Sequence, residues 1–334
     1  TTMTRKAWKG VLLLLAVLAF GVSGTSQAEA AKRLQLGSWD PGSGWYVYAA
    51  AMANIINNAK VGVQMDALAK GGAIGNPINV SEGKYDAALT FSIAANWAYQ
   101  GKVAYKKAYP NLRGLIGGMD EYYLGIITTN PKVNKIGDIK DQKIPVRYVT
   151  VPRGGLGQWA TEAMLEAHGI KFDDIKKWGG SVTHTGFNVI ASRIKDGQAD
   201  MFSHTVNPGH PALTQIAIEK KGQLRFLGVD DAVRDQLTKI GFLKETMPAN
   251  TFPGQTEPKN TFGFTTAMHV SASMDNQTAY LIAKTLIERI NDLRAAHKGL
   301  KTFKPEKTAW QEDQMGTPIH PGAARYYKEK GWLK

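Results

Sequence analysis

The chain has 334 residues, 43% apolar and 21% charged, a composition that excludes a fibrous or wholly disordered protein and suits two domains of about 150 residues. It holds no cysteine, which excludes a disulfide scaffold, a thiol nucleophile, a zinc-thiolate or iron–sulfur site and a lipid anchor on cysteine. The net charge is +13, but the lysines are dispersed, as at Lys298, Lys301, Lys304 and Lys307, and no aromatic platform is interleaved with them, so nucleic acid is not the expected partner.

Residues 1–30 carry Arg5, Lys6 and Lys9, then an apolar run from Val11 to Phe20, then small residues ending in Ala28-Glu29-Ala30. A basic start, a short apolar core and a small-residue exit predict a cleavable signal peptide, with cleavage after Ala30 and export to the periplasm. The apolar run is too short to span a bilayer, which takes about 20 residues. This segment holds three basic residues and one acid, so the remainder carries +11. A positive field of that size favours an anionic ligand.

Beyond it, Arg33–Ser38 alternates and reads as a strand, and the turn Asp40-Pro41-Gly42-Ser43-Gly44 opens a helix over 45–58. A strand over 61–67 leads through Lys70-Gly71-Gly72-Ala73-Ile74-Gly75-Asn76 to a helix over 77–82. A strand over 85–90 precedes a helix to Tyr99, with Ser92 as the expected N-cap. Strand, glycine turn and helix, repeated three times, predict a parallel sheet covered by helices. Tyr122–Thr128 reads as a strand leaving this unit. A second round follows: a strand over 144–149, the turn Pro152-Arg153-Gly154-Gly155-Leu156-Gly157, and a helix over 158–168 closed by Gly169. A helix over 187–195 and strands over 199–204 and 224–229 complete it. Residues 247–260 read as an irregular connector, 261–272 as one returning strand, and 274–294 as one long amphipathic helix.

Two α/β rounds joined by two crossing strands predict a bilobal, periplasmic-binding-protein-like (type II) fold: α/β, with two parallel or mixed sheets. The expected limits are 31–125 with 265–334 for lobe 1 and 126–264 for lobe 2. The functional cleft then lies between the lobes, at the carboxyl ends of the parallel strands. Four strand-to-helix turns, at 42–44, 71–75, 91–92 and 153–157, would aim free amides into that cleft and suit a carboxylate. Arg153 offers a planar fork for the same group. The expected ligand-binding residues are Trp39, Ser43, Gly44, Trp45, Tyr46, Gly71, Gly72, Asn76, Phe91, Ser92, Arg153, Gly154, Gly155, His204 and Asn207. No dinucleotide, phosphate-loop, G-x-S-x-G or H-E-x-x-H pattern is complete, so no catalytic residue, cofactor or metal is expected.

Three segments carry a family resemblance: Lys70–Asn76, Asp196-Gly197-Gln198-Ala199-Asp200-Met201-Phe202, and Ile319-His320-Pro321-Gly322-Ala323-Ala324-Arg325-Tyr326-Tyr327. The chain resembles the TAXI family of solute receptors of tripartite ATP-independent periplasmic (TRAP) transporters, and the last segment is similar to its H-P-G-A-x-R-Y-Y signature. The resemblance implies a monomeric receptor that delivers a small organic anion, a carboxylate or amino acid, to TRAP membrane permease subunits. Two turns depart from the family pattern, at 39–46 and 152–156, and both lie in the expected pocket. A different solute is therefore implied, larger or more acidic than the family's glutamate and glutamine. An exported bilobal enzyme, or a receptor for an ATP-driven importer or a sensor kinase, stands as the alternative.

Overall fold

A computed structural model describes residues 31–334. The expected signal segment lies outside the described residues.

The strands, in chain order, are β1 (Lys32–Ser38), β2 (Val63–Gly71), β3 (Ala87–Phe91), β4 (Leu112–Ile116), β5 (Tyr122–Thr128), β6 (Arg147–Thr150), β7 (Ser181–His184), β8 (Met201–Val206), β9 (Arg225–Phe226), β10 (Leu243–Met247), β11 (Lys259–Phe264) and β12 (Thr266–Ser271). They form two sheets. The first has the order β2-β1-β3-β12-β4, and the second runs β10-β11-β5-β8-β6-β7 with β9 beside β5.

The two sheets repeat one plan. In the first, β1 pairs in parallel with β2 and β3, and β12 enters antiparallel to β3. In the second, β6 pairs in parallel with β7 and β8, and β5 enters antiparallel to β8. Each antiparallel strand arrives from the other sheet: β5 follows β4, and β12 follows β11. This exchange is the bilobal architecture expected from the two α/β rounds.

The chain crosses between sheets at 117–121 and again at Thr265, and the two crossings are bonded together. Thr266 N donates to Asp120 Oδ1 at 2.9 Å, and Met119 N donates to Thr266 O at 3.0 Å. The stretch 261–272 is therefore two strands, not the single one its apolar run suggests. Phe264 pairs with Tyr122 in the second sheet, whereas Thr266 pairs with Phe91 in the first. Tyr122 likewise lies wholly in the second sheet.

Helices begin where the parallel strands end. Ser43 caps the helix Gly44–Ala59, its Oγ accepting from Tyr46 N at 3.2 Å. Before the helix Ser92–Gln100 the N-cap is Phe91, and Ser92 is the first helical residue, its amide donating to Thr265 O. The expected cap is thus displaced by one position. The long helix expected over 274–294 breaks at Arg289 into Asn276–Glu288 and Ile290–Ala296. Among the described residues no helix is long and apolar enough to cross a membrane.

The C-terminal signature has a structural role. His320 caps the helix Pro321–Glu329: Nδ1 accepts from Gly322 N at 3.1 Å, and Nε2 pairs with Met274 O at 3.0 Å. Its backbone bridges to β4 through Gly114 O, and Tyr327 OH donates to Leu115 O at 2.8 Å. The motif clamps the last helix onto the first sheet, away from the cleft.

Candidate functional site between the sheets

Five helix N-termini meet at one cavity. Ser43 and Trp45 open Gly44–Ala59, and Ala73 precedes Gly75–Ser81. Phe91 caps Ser92–Gln100, Gly155 caps Leu156–Ala167, and His210 caps Pro211–Glu219. Tyr122, Leu156, His204 and Thr205 line the rest, with Trp39 as one wall. Three of the helices cover the first sheet and two the second, so the site lies where the carboxyl ends of both sets of parallel strands face each other.

The cavity is nearly shut. Its volume is about 20 Å³, room for roughly one water molecule. The turn at Gly72 and the turn at Gly154 hold it closed: Ile74 N and Gly75 N both donate to Gly154 O, at 3.0 and 3.1 Å. Here the N-terminal amides of one helix are satisfied by a carbonyl of the opposite half. Gly72 has a φ of +97°, and a Cβ there would press on the Trp39 ring and, at 2.9 Å, on Gly154 O. Only glycine permits that approach. The departures from family turns, Trp39 and the Arg153-Gly154-Gly155 segment, therefore fit one another.

The lining leaves donors unused. Trp39 Nε1, Tyr122 OH, His204 Nδ1 and His210 Nε2 are all buried without a hydrogen-bond partner. Tyr48, near Tyr122, has its hydroxyl committed to Asp120 and Asn207. His210 Nδ1 faces Leu213 N at 3.5 Å, an arrangement that puts the imidazole proton on Nε2. Among the described residues, no acceptor takes the amides of Gly44, Trp45, Leu156 or Gly157. Buried polar groups are rarely left unpaired, and a ligand is one way to pair them.

Burial removes charge from this site. It lowers the His204 imidazole well below its ordinary value, with neighbouring His210 pushing the same way. His210 itself falls to about 3, again by burial first and His297 second. Both rings are neutral near pH 7. No Lys, Arg, Asp or Glu lines the cavity.

Of the expected residues, Trp39, Ser43, Trp45, Phe91, Gly155 and His204 line the cavity together. Arg153 does not: its side chain is exposed, and only its backbone neighbours reach the cleft. Tyr46 is half-buried on the helix flank, and Tyr48 is the tyrosine of that helix that turns inward. Asn76 is fully buried as a brace, its Nδ2 donating to Ser38 O at 2.9 Å and Leu89 O at 2.7 Å to tie β1 to β3. Gly71 packs over Asn76, Gly44 over Tyr122 and Asn207. Asn207 bonds Tyr48 across the halves. Ser92 instead faces a larger open groove of about 1150 Å³, whose rim mixes Lys102, Lys239, Lys304 and Lys307 with Glu121, Glu245, Glu312 and Asp313. His204, expected to end its strand, lies inside β8.

Of the other lining residues, Ala73 and Leu156 lie on turns expected to face the cleft, whereas nothing in the sequence marks Tyr122 or Thr205 as part of the site. His210 had a signal, since a histidine followed by proline stands one residue before a helix, as His320 does.

The fold is the bilobal α/β fold of periplasmic binding proteins. The structure is similar to that of the periplasmic binding protein BugD, with a TM-score of 0.56 at 13% identity over 90% of this chain and 94% of that one. It is also similar to MatC from Rhodopseudomonas palustris with bound malate, at 0.55 and 10% over 89% and 98%. R. palustris Rpa4515 with adipate gives 0.54 and 13% over 90% and 97%. The chain belongs to the NMT1-like family, whose pattern matches residues 37–331.

Proposed function

We propose that this protein is an exported solute receptor that closes its two lobes on a small organic anion and passes it to a membrane permease. The observation that carries the reading is the convergence of five helix N-termini on one cavity, where Trp39 Nε1, Tyr122 OH, His210 Nε2 and the amides of Trp45 and Leu156 have no partner among the described residues. Helix N-termini favour negative charge through free amides and the helix dipole. Micromolar capture corresponds to about −8 kcal/mol, a value that several such donors and an aromatic wall can supply. Binding, not catalysis, is the function: the similar structures with malate and adipate are of proteins that share this fold.

The permease is proposed to be of the TRAP type and the receptor of the TAXI type. The support is the glycine-pair turn, which here forms the closing contact, and the His320–Tyr327 signature, which here locks the last helix. The lobes are proposed near the expected limits, hinged at the paired crossings, with the first boundary moved from 125 back to the crossing at 117–121 because Tyr122–Thr128 lies in the second sheet. The receptor acts as a monomer in the periplasm, without cofactor, since closure needs both lobes free.

A thermal-shift screen of amino acids, dicarboxylates, keto acids and aromatic acids tests the receptor reading, because a ligand bound only by the folded state raises the melting temperature by mass action. Uptake into vesicles holding the permease encoded beside this gene, measured without ATP, tests the TRAP assignment. Uptake that requires ATP would assign it to an importer of the other kind.

A further inference from the structure

Resting on the receptor reading, we infer that the solute is a small monocarboxylate whose remaining body is uncharged, and that the site selects against dicarboxylates and zwitterionic amino acids. The side chains around the cavity sort by chemistry. Trp39 Nε1 and the Tyr122 hydroxyl are unpartnered donors, and the free amides of the lining residues Trp45 and Leu156 add two more. These suit one carboxylate. The faces of Trp45 and Phe91, with ring centroids 4.5 Å apart, give an apolar wall, and the other side chains there, Ser43, Thr205, His204 and His210, carry no formal charge.

An ammonium group would need a carboxylate beside it, and a second carboxylate would need a cation. The cavity offers neither: what it has left are the unpartnered nitrogens of the His204 and His210 rings. It has no acidic and no basic side chain, and the two imidazoles facing it are neutral. A second formal charge closed into this space would lose its hydration without a partner. The nearest sequence candidate for a cation, Arg153, points to solvent. In the closed form the cavity holds about one water molecule, so the halves must part to admit any solute and only a small one lets them close again.

The test is isothermal titration of the purified protein at pH 7.5 with propionate, benzoate, malate and glutamate, alone and with Tyr122→Phe and Trp39→Phe. The expected result is that a monocarboxylate binds at least tenfold more tightly than malate or glutamate. Either substitution weakens that binding at least fivefold while the ligand-free melting temperature stays within a few degrees. Malate or glutamate binding as tightly as the monocarboxylates, above all if Arg153→Ala then abolishes the binding, overturns the inference and leaves the receptor reading standing. Failure of all four probes to bind overturns both.

Discussion

The Tyr48 hydroxyl donates to Asp120 Oδ2 at 2.8 Å and accepts from Asn207 Nδ2, so one phenol joins the first crossing to the second sheet. Asp120 in turn accepts from Thr266 N, at the second crossing. A single buried chain of hydrogen bonds therefore ties both hinge segments to Asn207, just beyond the end of β8 in the second sheet.

Tyr48→Phe removes the middle of that chain and leaves a buried carboxyl and a buried amide without their partner. The expected loss is about 1–3 kcal/mol of unfolding free energy, read from denaturant midpoints at unchanged slope. Because Asn207 lies across the halves, the same substitution should also weaken ligand affinity by favouring the open form. A variant as stable as the parent and equal in affinity would show that the chain holds nothing.

The pH dependence of stability has two opposed parts. Burial raises the Asp120 carboxyl to about 7, against the counter-effects of the Thr266 amide and the Tyr48 hydroxyl. Between its unfolded value and about 7 the folded protein holds a proton that the unfolded chain has released, so this group makes stability fall as pH rises from about 4 to 7. The buried histidines act the other way. His204 is lowered well below its ordinary value, His210 falls to about 3 and His269 to about 4, each chiefly by burial. Below about 6.5 the unfolded chain binds protons that the folded protein does not, so their contribution is lost as pH falls from about 6.5 towards 3. His297 and His320 are lowered as well, again chiefly by burial, and five rings against one carboxyl predict a melting temperature that rises from pH 4 to 6.5. Asp120→Asn, which deletes the opposing part, should steepen that rise. A shallower profile in the variant would contradict the assignment.

Gly157→Ala is expected to cost affinity at least tenfold. A Cβ at Gly157 would overlap His204 Nδ1, so the ring must leave its place in the lining. The position has no positive φ, so the effect comes from the collision and not from backbone strain. Titration with the best carboxylate of a screen, alongside circular dichroism to confirm folding, reads it directly.

Away from the site, Asp275 caps the helix Asn276–Glu288 through Thr278 N at 2.7 Å and pairs with Lys32 of β1, also at 2.7 Å. The Lys32 ammonium and the Thr278 donors hold its carboxyl well below the usual range. The ion pair is half-exposed and is worth little in water, so the cap should dominate. Asp275→Ala should cost about 1 kcal/mol, and Asp275→Ser, which keeps the cap and loses the ion pair, should recover most of it.

Much of this architecture was legible in the sequence because its signals are local. The helix Phe187–Lys195 and the strand Tyr122–Thr128 stand where periodicity and apolar runs put them. The returning strand was misread as continuous because Phe262, Phe264, Ala267 and Met268 are all buried, while the switch at Thr265 is a matter of which sheet each half joins. Several elements were passed over for similar reasons. β7 is four residues long with no buried residue, and β10 is exposed along all but Met247. In the candidate site, residues on glycine turns were visible because turns announce themselves. Tyr122 and Thr205 were not, since an aromatic or a threonine inside a strand carries no mark of the cavity at the end of its sheet. Arg153 stands apart: its chemistry suits an anion, but its side chain is exposed while the Gly154 carbonyl beside it takes part in the closing contact.

The crystal structure of the protein with a carboxylate soaked or co-crystallised at saturating concentration tests the central claim most directly. The carboxylate oxygens are expected within hydrogen-bond reach of the amides of Trp45 and Leu156, with Trp39 Nε1 or Tyr122 OH completing the set. A carboxylate held instead in the open groove beside Ser92 and Glu312, with the buried cavity left as it is, would contradict it.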